Sequence, residues 1–352
     1  MPPRSIKIGI HTIDGDAPPF IIAEMSGNHK GSLERALAIV DAAADAGAHA
    51  VKLQTYTADS MTLDINDREF AIRDPGSLWN GLSLYSLYRE ASMPWDWHGP
   101  IFERCKERGL IGFSSPFDAA AVDFLESLGV QLYKIASAEI IDLPLVRKVA
   151  RTGKPIIMST GMSSLNELAE AIVAAREGGC RDLAILKCTS VYPAATTSCN
   201  VATIPEIQAL FDVHVGFSDH TLGIGASIAA VCMGASVIEK HFTTSREDGG
   251  VDAAFSATPV ELGQLIKESK AAREAIGVVQ FAPTEEEQKS LPFRRSLYIT
   301  ADMKAGEAFS SDNLRSIRPG LGLPPKFIEV FMGKRIARNA KKGTALTWDH
   351  LS

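Results

Sequence analysis

Short apolar runs alternate with amphipathic or alanine-rich stretches along most of the chain. Each run has the length of a β-strand, and the stretches between them, such as residues 33–47 and 165–179, have helical spacing. Continuous apolar strands that alternate with helices predict a parallel sheet covered by helices. The eight runs are residues 19–26, 50–55, 110–116, 132–137, 155–161, 183–190, 213–220 and 237–243.

Eight strand–helix units over roughly 250 residues are typical of a TIM barrel. An open doubly wound sheet is the alternative, but no GxGxxG fingerprint follows the first strand. We therefore predict the α/β class, with a (β/α)8 TIM barrel over residues 1–280.

Two segments do not belong to the repeating units. Residues 7–19 predict a small N-terminal hairpin that turns at Asp14-Gly15 or Gly15-Asp16. Residues 56–94 form a long insertion after the second strand, and connections of that length are usually functional when they are not disordered. Trp79 and Tyr88 make this insertion too apolar for a solvated linker.

The barrel pattern stops near Gly277. Residues 281–293 are polar, acidic and flanked by prolines, which predicts a linker, and residues 294–352 then form a small domain. Within it, residues 302–314 and 339–351 share the pattern K-x-G-x-x-[F/L]-[S/T]-x-D-x-L. Two copies of one unit predict a compact, pseudo-symmetric domain that leans on a partner surface.

Composition excludes several classes of protein. A net charge of −6 argues against a nucleic-acid partner. No run approaches the roughly 20 apolar residues of a membrane span, and the start does not look like a signal peptide. The five cysteines show no CxxC spacing, so we expect reduced thiols and a cytoplasmic protein.

Lysines interrupt four of the predicted strands, at Lys52, Lys134, Lys187 and Lys240. A buried ammonium group without a partner costs several kcal/mol, so each must meet a carboxylate or an anionic ligand. Lysines together with short hydroxyls suit a phosphate or carboxylate cradle. Structural pairing, for example of Lys134 with Glu139, is the alternative. The accompanying small residues are Ser114, Ser115, Ser137, Ser159, Thr160, Gly161, Thr189 and Ser190.

Two histidines end the last two predicted strands, His220 and His241. Adjacent strands lie about 5 Å apart, so the two imidazoles can converge. Two histidines with water or carboxylate oxygens suit a divalent first-row metal, which Asp219 and Glu239 could ligate or orient. The alternative is that both are ordinary core histidines.

An acid, Glu24, ends the first strand. A carboxylate at this position either pairs with a barrel lysine or moves protons. The loop that follows contains Asn28 and His29, which we expect near the substrate.

These residues stand in motifs that resemble the sialic acid synthases, which condense phosphoenolpyruvate with an amino sugar. The C-terminal stretches "FRRSLYITADMKAGEAF" and "LRSIRPGLGL" resemble the antifreeze-like (SAF) domain of that family. The resemblance covers nearly the whole chain. The barrel motifs are "FIIAEMSGNHKGSLERA", "AVKLQTY", "FSSPFD", "YKIASAEI", "KPIIMSTGM", "LKCTSVYPA", "GFSDHTLG" and "IEKHFT".

The resemblance implies a role for each candidate site residue. It makes His220 and His241 the ligands of Mn²⁺ or Mg²⁺, and Glu24 a residue that steers water or a proton. It makes Arg318 a residue that reaches the neighbouring subunit's active site in a homodimer, although a surface arginine is the alternative. It implies phosphoenolpyruvate binding by Lys52, Lys134, Ser137, Ser159, Gly161 and Thr189, and further substrate binding by Gln54, Tyr192, Ser218 and Asp252.

Residues 82–103 resemble the pseudaminic acid branch of the family. The implied reaction joins phosphoenolpyruvate, a 2,4-diacetamido-2,4,6-trideoxy-altrose and water, and releases phosphate by C–O cleavage, as a transferase of the EC 2.5.1 class. Alternatives are N-acetylneuraminate or legionaminate synthesis, a Schiff-base aldolase, and a carbohydrate- or ice-binding protein.

The sugar of the pseudaminic acid branch is less polar than N-acetylmannosamine, so an aromatic insertion could bury its methyl groups. The alternative is that these rings only anchor the insertion to the barrel. The candidate aromatic residues are Trp79, Tyr85, Tyr88, Trp95 and Trp97.

Overall fold

The computed structural model describes residues 3–352, which contain twelve strands and twelve α-helices. The strands are β1 (Ile6–Ile8), β2 (His11–Ile13), β3 (Phe20–Glu24), β4 (Ala50–Thr55), β5 (Ile111–Pro116), β6 (Tyr133–Ile135), β7 (Ile156–Ser159), β8 (Leu183–Cys188), β9 (His214–Asp219), β10 (Val237–His241), β11 (Ser296–Ile299) and β12 (Leu314–Ile317). The helices are α1 (Leu33–Ala46), α2 (Ala58–Met61), α3 (Leu84–Ala91), α4 (His98–Glu107), α5 (Ala119–Ser127), α6 (Leu143–Ala150), α7 (Leu165–Glu177), α8 (Thr203–Phe211), α9 (Gly225–Cys232), α10 (Pro259–Ile276), α11 (Glu285–Gln288) and α12 (Ile328–Phe331).

Strands β3 to β10 form a closed, all-parallel barrel in which β10 pairs with β3. Each barrel strand lies within or overlaps one of the eight predicted runs. The predicted (β/α)8 barrel is therefore confirmed, and the open doubly wound sheet is excluded. Several helices between the strands begin at a capping side chain, as at Ser164, whose side chain and that of Glu167 form a capping box at α7.

Side chains along each barrel strand point alternately into and out of the barrel, which produces two separate apolar cores. Outward residues such as Val51 and Ile238 pack against the helices in the larger core. Inward residues near the amino ends, such as Phe20 and Ala50, form a smaller core inside the barrel. The residues two and four positions further along each strand also point inward. At the carboxyl ends these inward residues are polar, as Glu24 is. The site therefore begins where the inner apolar core ends.

The N-terminal hairpin exists, but its predicted turn is wrong. β1 pairs with β2 so that Ile8 faces His11, and the turn falls at Gly9 and Ile10. Gly9 has a φ of +56°, which a glycine adopts without strain. The Asp14 side chain instead accepts a hydrogen bond from the Asp16 amide at 2.9 Å, so this segment makes a local Asx-type turn. Ile6, Ile8 and Ile13 of the hairpin join the inner core.

The chain divides into two compact units, one up to Gly277 and one from Val278 onward. The predicted linker region contains α11 and a short 3-10 helix over Leu291–Phe293. In the second unit, β11 and β12 pair antiparallel over a small apolar core.

The two copies of the internal repeat adopt the same turn, as the pattern predicts. Gly306 and Gly343 both have a φ of +89°. Met303 and Ala340, which precede these glycines by three residues, exchange two backbone hydrogen bonds of 2.8 and 2.9 Å. The copies therefore pair with each other about a pseudo-twofold axis.

Two predictions from composition concern the cysteines and membrane-spanning segments. The five cysteines all lie in the described part of the chain and all are free thiols. Among residues 3–352, no helix is long and apolar enough to cross a membrane.

Candidate active site

A cavity of about 430 Å³ opens at the carboxyl ends of the barrel strands. Three of the residues that the family resemblance assigns to the site do not line it: Gly161 and Thr189 are next in sequence to lining residues, and Arg318 lies in the second unit. The predicted site residues that line it are Glu24, Lys52, Gln54, Lys134, Ser137, Ser159, Tyr192, Ser218, His220, His241 and Asp252.

Two lysines and two glutamates form a buried charged cluster at the cavity floor. The Lys52 ammonium nitrogen lies 2.7 Å from Glu24 Oε2 and 3.7 Å from Glu239 Oε1. The Lys134 ammonium nitrogen lies 3.9 Å from Glu239 Oε1, so its carboxylate partner is Glu239 and not Glu139. Because the contacts of both lysines with Glu239 are long, both ammonium groups can also bind an anionic ligand.

Burial sets the protonation of this cluster. It raises the pKa of Glu24 to about 7, because desolvation of the carboxylate outweighs the attraction of Lys52, and the charge of Glu239 adds to the rise. Burial also lowers the pKa of Lys134, since Glu239 compensates its charge only in part. Glu24 can therefore take up or give up a proton near neutral pH.

The other two strand lysines do not line the cavity. Lys240 has outward parity in β10, and its nitrogen lies 2.9 Å from Asp219 Oδ2 and 2.7 Å from the Thr221 carbonyl. Asp219 also accepts a hydrogen bond from the Ser227 hydroxyl, so it pairs on the outer face and does not approach the cavity. Lys187 donates to the Cys188 carbonyl at 2.9 Å. These lysines are structural.

Hydroxyl groups form a cradle beside Lys134. Its ammonium group donates to Ser159 Oγ at 2.7 Å. The Gly161 amide donates to Ser137 Oγ at 3.1 Å. A Cβ atom on Gly161 would lie 2.0 Å from Ser190 Oγ and 2.6 Å from Ser137 Oγ, so only glycine leaves room between these hydroxyls. The cradle has the size and donors that a phosphate or carboxylate needs.

His220 and His241 converge at the cavity wall, with ring centroids 5.3 Å apart. The Nδ1 atom of His220 lies 2.9 Å from the Thr189 carbonyl. A carbonyl only accepts, so Nδ1 carries the hydrogen, and in the neutral ring the Nε2 lone pair is available. The Thr189 hydroxyl points elsewhere and donates to the Ser198 carbonyl at 3.0 Å. Thr189 thus orients His220 through its backbone.

His241 is the second available imidazole. Among residues 3–352, its buried Nδ1 atom has no hydrogen-bond partner, and it lies 3.7 Å from Asp252 Oδ2. Burial, with the charge of His220 adding to it, holds the pKa of His241 well below its usual range. The ring is therefore neutral at physiological pH, as a metal ligand must be.

The two imidazoles fit a divalent cation, and water or substrate would have to complete its coordination. Within residues 3–352, no group of three or more His, Cys, Asp or Glu side chains comes close enough to enclose a metal. A catalytic site keeps open positions, and two imidazole ligands suit Mn²⁺ and other first-row ions. Tyr192 covers the His220 ring at a centroid distance of 4.2 Å and limits access from one side.

Several lining residues escaped the sequence analysis. Cys188 lines the cavity, with Sγ 3.9 Å from His220 Nδ1. Burial opposes ionisation of this thiol, but the contact with His220 outweighs it and lowers the pKa of Cys188 to about 7. Its position in the strand could have identified it, because Cys188 lies two residues after the inward-facing Leu186 and therefore also faces inward. Ser26 and Tyr56 follow strand ends and also line the cavity.

The candidate aromatic residues divide into two groups. Trp79 and Tyr88 line the cavity. Tyr85 donates to Asp59 at 3.1 Å, Trp95 stacks on Phe124 with centroids 4.7 Å apart, and Trp97 packs edge-on against His29. The second group anchors the insertion, as the alternative interpretation held.

The loop after β3 places Ser26 at the cavity, but Asn28 and His29 of the same loop do not line it. The Asn28 side chain donates to the Phe242 carbonyl at 3.0 Å and to Ser256 Oγ at 2.8 Å. His29 is fully buried. Both residues hold the loop against the barrel.

The sequence matches models of two known protein families. A model of the NeuB family matches residues 39–281, and a model of the SAF domain matches residues 294–352. The chain belongs to the NeuB family. The first match covers more than half of the chain, and the second confirms the expected C-terminal domain.

Relatives of this NeuB-family chain are similar over nearly their whole length. A pseudaminic acid synthase from Campylobacter jejuni is 42% identical, over 96% of this chain and 98% of that one. An N,N'-diacetyllegionaminic acid synthase from Legionella pneumophila is 36% identical, over 94% of each chain. The crystal structure of N-acetylneuraminic acid synthetase from Leptospira borgpetersenii, in complex with citrate, superposes with a TM-score of 0.74 at 30% identity, covering 82% of this chain and 95% of that one. These relatives are sugar-acid synthases, so this NeuB-family chain is an enzyme of carbohydrate biosynthesis.

Proposed function

We propose that this enzyme condenses phosphoenolpyruvate with a 2,4-diacetamido-2,4,6-trideoxy-altrose and water to form pseudaminic acid and phosphate. The observation that carries the proposal is the pair of buried ammonium groups, Lys52 and Lys134, on the same cavity as His220 and His241. An anionic substrate fits the lysines and an electrophilic sugar fits the histidine side. The higher identity to a pseudaminic acid synthase supports this branch over the legionaminic acid one.

The anionic end of the substrate would lie between the two lysines and the hydroxyl cradle. Lys134 and Ser159 are already hydrogen-bonded at 2.7 Å, so the donors are positioned before the ligand arrives. Lys52 approaches from β4, which β5 separates from the strand of Lys134. The charges of the two lysines and of Glu24 and Glu239 sum to zero, so a bound anion adds negative charge that protonation of Glu24 can offset.

The proposed reaction forms a C–C bond and a C–O bond to water, and it breaks the C–O bond to phosphate. C3 of phosphoenolpyruvate bonds to the aldehyde carbon of the open-chain sugar, water adds at C2, and the bond from C2 to the phosphate oxygen breaks. His220 and His241 would hold the Mn²⁺ or Mg²⁺, which when bound polarises the aldehyde oxygen as a Lewis acid. Glu24, fixed by the 3.0 Å hydrogen bond that Gln54 donates to it, would accept a proton from the attacking water.

The sugar would lie against the opposite side of the cavity, near Gln54, Tyr192 and Asp252. The Asp252 carboxylate accepts a hydrogen bond from Ser26, which holds it toward His241. Ser218 Oγ donates to Glu239 Oε1 at 3.3 Å and orients that carboxylate.

The proposed reaction makes the protein a C–C bond-forming transferase. Its free cysteines lead us to place it in the cytoplasm.

A coupled phosphate-release assay tests the function. Phosphoenolpyruvate would be offered with the diacetamido-altrose, with N-acetylmannosamine, or with the precursor of legionaminic acid. We expect the highest kcat/KM with the diacetamido-altrose. Preference for either other sugar would refute the branch, and an aldolase that uses pyruvate through a Schiff base would release no phosphate at all.

We further propose a homodimer in which the partner subunit's Arg318 contacts the acetamido group of the bound sugar. Arg318 follows β12 and is exposed, so its guanidinium group is free to meet a ligand. Arg318→Ala should raise the KM for the sugar about tenfold, the cost of a hydrogen bond from a charged group, and leave the KM for phosphoenolpyruvate unchanged. Steady-state kinetics with each substrate varied would measure this. Equal weakening of both substrates would contradict the proposed role.

A further inference from the structure

Helix α3 presents an apolar face to the cavity, and the proposed chemistry does not use it. Leu84, Leu87, Tyr88 and Ala91 all line the cavity. Their spacing of three, four and seven residues defines one face of a helix. Polar residues such as Arg89 occupy the opposite, exposed side. Leu87 of this face is buried, whereas Leu84, Tyr88 and Ala91 are half-buried and keep surface that a bound substrate can cover.

A turn in the same insertion extends this surface. The Ile72 amide donates to the Leu82 carbonyl and the Gly81 amide donates to the Ile72 carbonyl, both at 2.9 Å. These bonds hold Ile72 and Trp79 at the cavity. The Trp79 indole nitrogen donates to the Val251 carbonyl at 3.1 Å, so it is not available to a ligand. We call Ile72, Trp79, Leu84, Leu87 and Tyr88 the apolar wall.

The apolar wall lies on the same cavity as the charged cluster, so the two ends of a ligand meet opposite environments. A buried hydroxyl that loses its hydrogen bonds to water is costly unless the protein replaces them. Of the wall side chains, only Tyr88 carries a hydroxyl that could do so. A sugar of the N-acetylmannosamine type has hydroxyls at C4 and C6, whereas the diacetamido-trideoxy sugar has an acetamido methyl and a C6 methyl there.

We infer that the apolar wall selects the sugar by covering its C6 methyl group and the methyl of its 4-acetamido group. This inference rests on the proposed function, because it concerns the sugar of that same reaction. The wall rejects a 6-hydroxy sugar by leaving its hydroxyl without a partner. The insertion is thus a specificity element, separate from the residues that bind phosphoenolpyruvate.

The test compares two sugars that differ at one position. They are 2,4-diacetamido-2,4,6-trideoxy-altrose and its 6-hydroxy counterpart, each assayed by phosphate release with the full-length enzyme. The wild type should prefer the 6-deoxy sugar by about tenfold or more in kcat/KM, the range for a methyl-sized difference in an apolar pocket. Leu84→Gln keeps a good helix former and adds an amide, and Ile72→Thr adds a hydroxyl on the other segment. Each should reduce the preference at least threefold without changing the KM for phosphoenolpyruvate.

Glu90→Gln, at an exposed position of α3, is the matched control and should keep the wild-type preference. Thermal melting of each variant checks that the insertion still folds. Equal use of the two sugars by the wild type would overturn the inference, as would an equal loss of both sugars in both wall variants. Failure of the proposed function differs, because N-acetylmannosamine or the precursor of legionaminic acid would then be consumed while neither diacetamido-altrose sugar released phosphate.

Discussion

His241→Asn should reduce phosphate release by at least about 1,000-fold and weaken Mn²⁺ binding. Lewis-acid activation of a carbonyl contributes several kcal/mol, and each 1.4 kcal/mol corresponds to a tenfold change in rate. Asparagine is close to histidine in size but removes the neutral imidazole whose buried Nδ1 atom has no partner in the described chain. Steady-state kinetics would measure the first effect, and titration with Mn²⁺ followed by electron paramagnetic resonance would measure the second.

His11→Asn provides the control for this experiment. His11 lies in β2, and its ring packs 5.9 Å from Phe20, at the amino end of the barrel. This variant should keep wild-type turnover and metal affinity. EDTA should abolish wild-type activity, and added Mn²⁺ or Mg²⁺ should restore it. If the His241 variant kept turnover within tenfold of wild type, the metal assignment would be refuted.

The barrel was predictable because its signals are local and repeated. Each strand is a short apolar run, and inward and outward residues alternate, so the positions of Glu24, Lys52 and Lys134 follow from counting along three strands. The same count separates Lys240 from its neighbours Glu239 and His241. The closed order of the eight strands then brings β10 beside β3, so that His241 and Glu24 are paired in register.

Contacts between distant loops were not predictable in the same way. The sequence predicts the hairpin turn at Asp14-Gly15 or Gly15-Asp16, because such dipeptides are strong turn signals, yet Gly9 and Ile10 make the turn. Among the five aromatic candidates, only the folded insertion shows that Trp79 and Tyr88 reach the cavity while Trp95 stacks elsewhere. Side-chain direction in a long connection depends on tertiary packing, which sequence spacing does not encode.

Lys134→Met and Lys240→Met should have opposite effects, although both lysines are only 2% exposed. Methionine has a similar length and no charge. At Lys134 we expect kcat/KM for phosphoenolpyruvate to fall about 100- to 1,000-fold, as when one preorganised donor is removed from a catalytic site. Burial lowers the pKa of Lys134, so its ammonium group costs stability at neutral pH; this offsets the loss of its 3.9 Å contact with Glu239, and the melting temperature should stay nearly the same.

At Lys240 we expect the reverse, because its ammonium group neutralises Asp219 at 2.9 Å in the outer core. Removing one partner of a buried ion pair costs about 3–5 kcal/mol. For a unit of this size that corresponds to a fall in melting temperature of roughly 10 °C. Scanning calorimetry and kinetics at a temperature where both variants remain folded would separate the two effects. Loss of activity with full stability in the Lys240 variant would show that the inward and outward roles of the two lysines are assigned wrongly.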